Sequence, residues 1–174
     1  FDVLLRSIAL LKEEVGGLSC HIIGDGPLRQ ELEDLAASLR LDGRAVFGGA
    51  RPQPELLEEF ARAQIFVLSP AVMPDGDRDG VPNVLIEAMA CGIPVVATGI
   101  SGIPELVRHG ETGLLVPPDD PTALADAIRR LLGDSALRER LGEAGRAFVA
   151  ERRGLESSVR PLADRFRECL GLAR

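Results

Sequence analysis
Two rhythms of apolar and polar positions alternate along this chain. "VLLRSIALLKEE" (3–14) repeats apolar side chains at helical spacing until Gly16 and Gly17 stop it. "LSCHII" (18–23) is a short apolar run of strand length, and "LRQELEDLAASLR" (28–40) returns to the helical period. "RAVF" (44–47) predicts a strand, "PELLEEFARA" (54–63) a helix opened by Pro54, and "IFVL" (65–68) a buried strand. "PNVLIEAMA" (82–90) predicts a helix stopped by Gly92. "PVVA" (94–97) and "GLLV" (113–116) are strands flanking a short helix, "IPELVRH" (103–109). After "PPDDP" three helical segments follow without strands, over about 122–132, 135–150 and 155–170.

Strands alternating with helices imply crossover units, a parallel sheet and a doubly wound α/β fold. Every connection but one is short. The exception, residues 69–81, follows "IFVL", and in an open parallel sheet ligands gather outside the carboxyl ends of the strands. The first helix has an apolar face that needs a sheet, yet no strand precedes it. In the usual order 3-2-1-4-5-6 the strand before the first helix is central. "CHII" and "IFVL" are therefore expected to lack a shared neighbour, and residues 1–174 alone to be unstable.

Composition narrows the class. The chain has 174 residues, 45 % apolar and 27 % charged, enough for one domain with a sizeable core. A net charge of −7 argues against nucleic acid as a partner. No apolar run approaches the ~20 residues of a membrane span, and Phe1 opens into a helical pattern without a basic leader, so a cytoplasmic fragment is expected. Cys20, Cys91 and Cys169 fit no zinc or CxxC spacing and read as small core residues. His21, in a strand, and His109, in a turn, read as structural.

Two stretches carry chemistry. In "HIIGDGPLRQEL" a strand, Gly24-Asp25-Gly26 and a helix suggest either a tight turn or a loop lining a nucleotide pocket. Arg29 stands where a dinucleotide fingerprint needs its third glycine, and no acid follows at the right distance, which disfavours NAD. In "DGVPNVLIEAMACGIPVVA" (79–97) a helix starts near Pro82. The amides of Asn83 and Val84, at its positive end, form an anion site. Glu87 shares a side of that helix with Asn83 and Cys91, while Val84, Leu85, Ala88 and Met89 can face the sheet. A carboxylate in so apolar a segment needs partners, and the vicinal hydroxyls of a sugar would supply two donors.

With Asp79, seven intervening residues and Glu87, then "AMACGIPVVA" and "GIPELVRHGETGLLVPPDDPTALADAI", the chain resembles glycosyltransferase family 4. "IIGDGPLRQELE", "VFGG" and "ARAQIFVLSP" match its earlier elements, and the resemblance covers about residues 1–150. It identifies the chain with the Rossmann-like, donor-binding C-terminal domain of a GT-B fold retaining glycosyltransferase. Residues 1–150 would be that domain, and 151–174 a C-terminal helix expected to pack on an N-terminal domain.

The resemblance implies roles. Asp79, which replaces the family's usual Glu, and Glu87 are the candidate catalytic residues. Asp79 would contact the donor sugar and Glu87 the ribose. Gly80, Val81, Pro82, Asn83 and Val84 would meet the sugar and diphosphate through backbone amides. Arg51 would flank the base through its backbone, and Gly24 and Gly26 would line the nucleoside side. No metal or other cofactor is implied. The family's Arg and Lys that clamp the diphosphate, and its acceptor-binding domain, would lie upstream of Phe1.

The partners implied are a UDP or GDP sugar and, through the upstream domain, a glycan or glycolipid acceptor. Polysaccharide biosynthesis, with peripheral association at the inner face of the membrane, is the expected setting. The alternatives are a nucleotide-sugar epimerase of the same fold and a module that only binds. A flavodoxin-like signalling domain is disfavoured because nothing resembles its acidic pocket.

Overall fold
A computed structural model describes residues 1–70 and 82–152. In chain order its elements are α1 (Asp2–Leu11), β1 (Cys20–Ile23), α2 (Arg29–Ser38), β2 (Ala45–Gly49), α3 (Gln53–Arg62) and β3 (Phe66–Leu68). Then come α4 (Asn83–Ala90), β4 (Val95–Thr98), α5 (Ile103–Leu106), β5 (Leu114–Val116), α6 (Pro121–Gly133) and α7 (Ser135–Arg152). The alternation read from the sequence is present throughout. The helix expected over 155–170 lies outside the described residues.

Boundaries move where charged side chains have tertiary work. The first helix ends at Leu11 rather than continuing through "KEE". Lys12 Nζ donates instead to the Leu39 carbonyl at the end of α2 (2.7 Å), and Glu14 accepts from Arg129 Nε on α6 (2.7 Å). The third helix starts before Pro54, with Pro52 as its extended N-cap. The short helix after β4 stops at Leu106 rather than His109, because Thr112 Oγ1 takes the Arg108 amide (2.9 Å) and donates to the Leu106 carbonyl (3.0 Å).

All strand pairs are parallel, in two groups ordered β1-β2 and β3-β4-β5. The two groups share a core. Ile22 of β1, Val96 of β4 and Leu114 of β5 belong to one apolar cluster with Leu5 and Leu11 of α1 and Leu124 and Leu131 of α6. On the other face, Val95 and Ala97 pack with Leu85 and Met89 of α4, Phe60 of α3 and Leu106 of α5. Alternate residues of β4 thus enter opposite cores, as the two-residue period of a strand dictates. A strand buried on both faces reads as a continuous apolar run, which "PVVA" is. α4 is held from outside by α7: a Cβ added at Gly145 would stand 3.5 Å from Met89 Cε and 3.2 Å from the Thr112 carbonyl.

Candidate donor site
Of the sequence-picked residues among those described, Gly24, Gly26 and Arg51 lie just past strand ends, and Pro82 to Glu87 lie in the first part of α4 and at its N-cap. Gly24 and Gly26 follow β1, Arg51 follows β2, and Pro82, Asn83 and Val84 open the helix that follows β3. In a parallel sheet these are the carboxyl ends, on one edge.

The β1 and β2 ends are tied together through glycine backbone. Gly24 has φ +141°, open to glycine only, and its amide donates to the Gly49 carbonyl at 2.9 Å. Gly49 itself is left-handed, at φ +68°. The Gly26 amide donates to Asp25 Oδ1 (2.9 Å). A Cβ on Gly24 or Gly26 would meet nothing within 4 Å, so this turn is exposed. At Gly48 the opposite holds, since a Cβ would lie 2.7 Å from Ile23 Cδ1. Arg51, two residues past β2, pairs through Nη1 with Glu55 Oε2 at 2.9 Å.

On α4 the burial follows the expected division. Leu85, Ala88 and Met89 are buried, Val84 and Glu87 half-buried, Asn83 and Cys91 exposed. Pro82, the N-cap, makes no side-chain capping bond, so the first turn gains no side-chain acceptor from it. The Glu87 side chain has no hydrogen bond or ion pair to any described residue, and no buried side-chain oxygen among the described residues lacks a partner. Among the described residues its carboxylate is therefore unengaged. Asp79, Gly80 and Val81 lie outside the described residues.

The sequence-picked residues fall in two groups: Gly24, Gly26 and Arg51 on one sheet, and Pro82 through Glu87 after the other. Two contributors escaped the sequence reading. Thr98 is buried at the end of β4, and its hydroxyl donates to the Pro70 carbonyl (2.9 Å), which fixes where the long 69–81 connection leaves the sheet. A hydroxyl ending the apolar run "PVVAT" was the available signal. The second is Arg29, read only as a missing glycine. It reaches Glu33 Oε1 (2.9 Å), Asp25 Oδ1 (3.9 Å) and the Phe47 carbonyl (3.4 Å).

Both histidines have structural partners: His109 Nδ1 lies 3.1 Å from the Leu115 amide, and His21 Nδ1 3.4 Å from Glu59 Oε2. Burial pushes the Cys20 thiol, packed against the core, up to about 11, whereas Cys91 is exposed rather than the core residue expected, and Cys169 lies outside the described residues. Among the described residues no group of three or more His, Cys, Asp or Glu could hold a metal ion. No described helix is long and apolar enough to cross a membrane.

The fold is that of a doubly wound α/β domain. The chain belongs to the family of glycosyl transferases group 1, which matches residues 1–148. It is 41 % identical over 143 residues to an exopolysaccharide phosphotransferase of Streptomyces coelicolor, covering 82 % of this chain and 14 % of that protein. It is 39 % identical over 129 residues to the amylovoran biosynthesis glycosyltransferase AmsK of Erwinia amylovora, covering 74 % of this chain and 32 % of that protein. A crystal structure of Anabaena HepE in complex with UDP superposes with a TM-score of 0.83 at 25 % identity, covering 95 % of this chain and 44 % of that one. The chain thus spans less than half the length of these relatives, and its fold is the Rossmann-like C-terminal domain of the GT-B architecture.

Proposed function
We propose that this chain is the donor-binding half of a retaining glycosyltransferase that moves a sugar from a nucleoside diphosphate to an acceptor hydroxyl. Residues 1–150 form the donor domain, and 151–174 pack against an acceptor-binding domain. The observation that carries the reading is Glu87: half-buried, unpaired among the described residues and one turn inside the helix that follows β3. A ribose diol satisfies such a carboxylate with two donors. The N-terminus of α4 then meets the diphosphate with amides and the positive end of the helix dipole. Those groups stabilise the charge that develops on the leaving diphosphate, the principal electrostatic task of this transfer, without a metal ion. Asp79 contacts the donor sugar, and the Gly24–Gly26 turn and the Arg51 backbone line the nucleoside.

The structural likeness to a UDP complex supports a nucleoside diphosphate as ligand, and the relative named for amylovoran biosynthesis supports a glycan as product. A glycolipid acceptor would bring the enzyme to the inner face of the membrane. The test is transfer from UDP- and GDP-sugars by the full-length enzyme, with NMR of the product's anomeric centre. Retention with undiminished rate in chelator is expected. An inverted product overturns the mechanism, and a new nucleotide sugar formed without acceptor identifies an isomerase.

A further inference from the structure
Arg29 breaks a local rule. It is the first residue of α2, whose N-cap, Leu28, offers no side-chain acceptor. A cation there opposes the helix dipole, since acids are favoured in the first turn and bases in the last. Rules of this kind are broken at sites with another task. The contacts of Arg29 indicate the task. Its guanidinium pairs with Glu33 one turn on, reaches back to Asp25 in the Gly24–Gly26 turn and donates across to the Phe47 carbonyl of β2. It also lies over Gly49: a Cβ built there would stand 3.5 Å from Arg29 Nη1. Gly49 is the residue whose carbonyl receives the Gly24 amide. One side chain thus touches the turn after β1, the end of β2 and the glycine that joins them.

We propose that Arg29 is a positioning residue: from the first turn of α2 it holds the Gly24–Gly26 turn against the end of β2, and so shapes the wall that the nucleoside of a nucleoside diphosphate meets. This rests on the donor-site reading above. It differs from the roles assigned to Gly24, Gly26 and Arg51, because Arg29 acts through the turn that carries the two glycines. A planar fork suits the task, since it serves a carbonyl and two carboxylates at once, which a lysine ammonium on a flexible stem does not.

The test uses the full-length enzyme as wild type, Arg29→Met and Arg29→Lys. Each is titrated with UDP, GDP and ADP and with UDP-glucose, alongside thermal melting and amide exchange of the free protein. Arg29→Met is expected to weaken UDP and UDP-glucose by the same factor, about tenfold, the scale of one charge-assisted bond. Gly24 amide exchange should quicken while the melting temperature holds. Arg29→Lys should fall between the two. Binding by Arg29→Met within twofold of wild type, with Gly24 protection unchanged, overturns the inference and leaves the donor-site reading intact. A melting temperature that falls with the affinity overturns it too, because Arg29 then only stabilises the fold. Wild type that binds none of the nucleotides overturns the donor-site reading itself, and this inference with it.

Discussion
Gly142 of α7 lies against the Gly92 carbonyl so closely that a methyl group at position 142 would overlap it. Gly92 ends the turn after α4, so this contact seats α7 on the helix that carries Glu87. Inside a helix, glycine to alanine ordinarily gains about 0.5–1 kcal/mol. Here the sign should reverse. Gly142→Ala is expected to destabilise by about 1–3 kcal/mol, because backbone rather than a flexible side-chain tip must move. Denaturant unfolding of the two proteins measures this, and an alanine variant as stable as wild type would show that α7 can shift freely.

Glu87→Ala separates binding from folding. The carboxylate has no partner among the described residues, so removing it leaves no described group stranded. Stability should stay within about 0.5 kcal/mol, as for surface changes. If ribose hydroxyls donate to Glu87, affinity for a nucleoside diphosphate should drop by about 1.5–3 kcal/mol, the range for hydrogen bonds to a charged group. Calorimetry with UDP reads the second quantity, and equal affinity for the two proteins would remove Glu87 from the site.

Asp79→Asn should behave differently if the side chain meets only the transferred sugar. Free UDP should bind the variant as it binds wild type, while transfer by the full-length enzyme slows. Parallel loss of both would make Asp79 a loop-ordering residue rather than a sugar contact.

Much of this was legible because burial imposes periodicity. Leu85, Ala88 and Met89 sit on the inner side of α4 and Asn83 and Glu87 on the outer, as 3.6-residue spacing requires. "PVVA" reads as a doubly covered strand because no polar residue interrupts it. What stayed hidden depends on partners distant in sequence. Arg29 and Phe47 meet only after β1 and β2 pair, and Gly142 meets Gly92 only after α7 folds back. No local pattern marks the contact of Gly142 with Gly92, since a helical glycine looks like a mere loss of propensity until its neighbour is known. The early ends of α1 and α5 have the same origin, with Lys12, Glu14 and Thr112 serving contacts outside their own helices.

Cys20 supplies a pH test. Burial raises its thiol from 9.0 to about 11, so the neutral form is favoured in the folded state. A raised folded value means that this contribution is full below about pH 9, declines as pH rises and is gone above about pH 11. Two units correspond to about 2–3 kcal/mol at most. Wild type should therefore lose stability between pH 8.5 and 10.5 more steeply than Cys20→Ala, whatever the cost of the alanine at neutral pH. Identical slopes would mean that the thiol ionises in the fold as easily as in the unfolded chain.

The separation of β1-β2 from β3-β4-β5 makes the last prediction. Among the described residues β1 bonds only to β2, and β3 only to β4. Both groups nevertheless contribute to one core, with Ile22, Val96 and Leu114 in the same cluster. In the doubly wound order 3-2-1-4-5-6, β2-β1 would correspond to strands 3-2 and β3-β4-β5 to strands 4-5-6, with strand 1 between them. Backbone groups left unpaired in a buried setting cost about 1–3 kcal/mol each. A few of them rival a total stability of about 5–15 kcal/mol. Residues 1–174 by themselves should therefore melt at low temperature or aggregate, and the β1 and β3 amides that do not face β2 or β4 should exchange fast. A chain lengthened ahead of Phe1 by about 10–20 residues, enough for a strand of ordinary length and a turn, should protect those amides and melt higher. Its gain from a nucleoside diphosphate should also be larger, because the ligand edge would rest on a continuous sheet. If residues 1–174 already melt cooperatively, with slow exchange at both edges and the same ligand stabilisation as the longer chain, the gap between β1 and β3 carries no energetic cost.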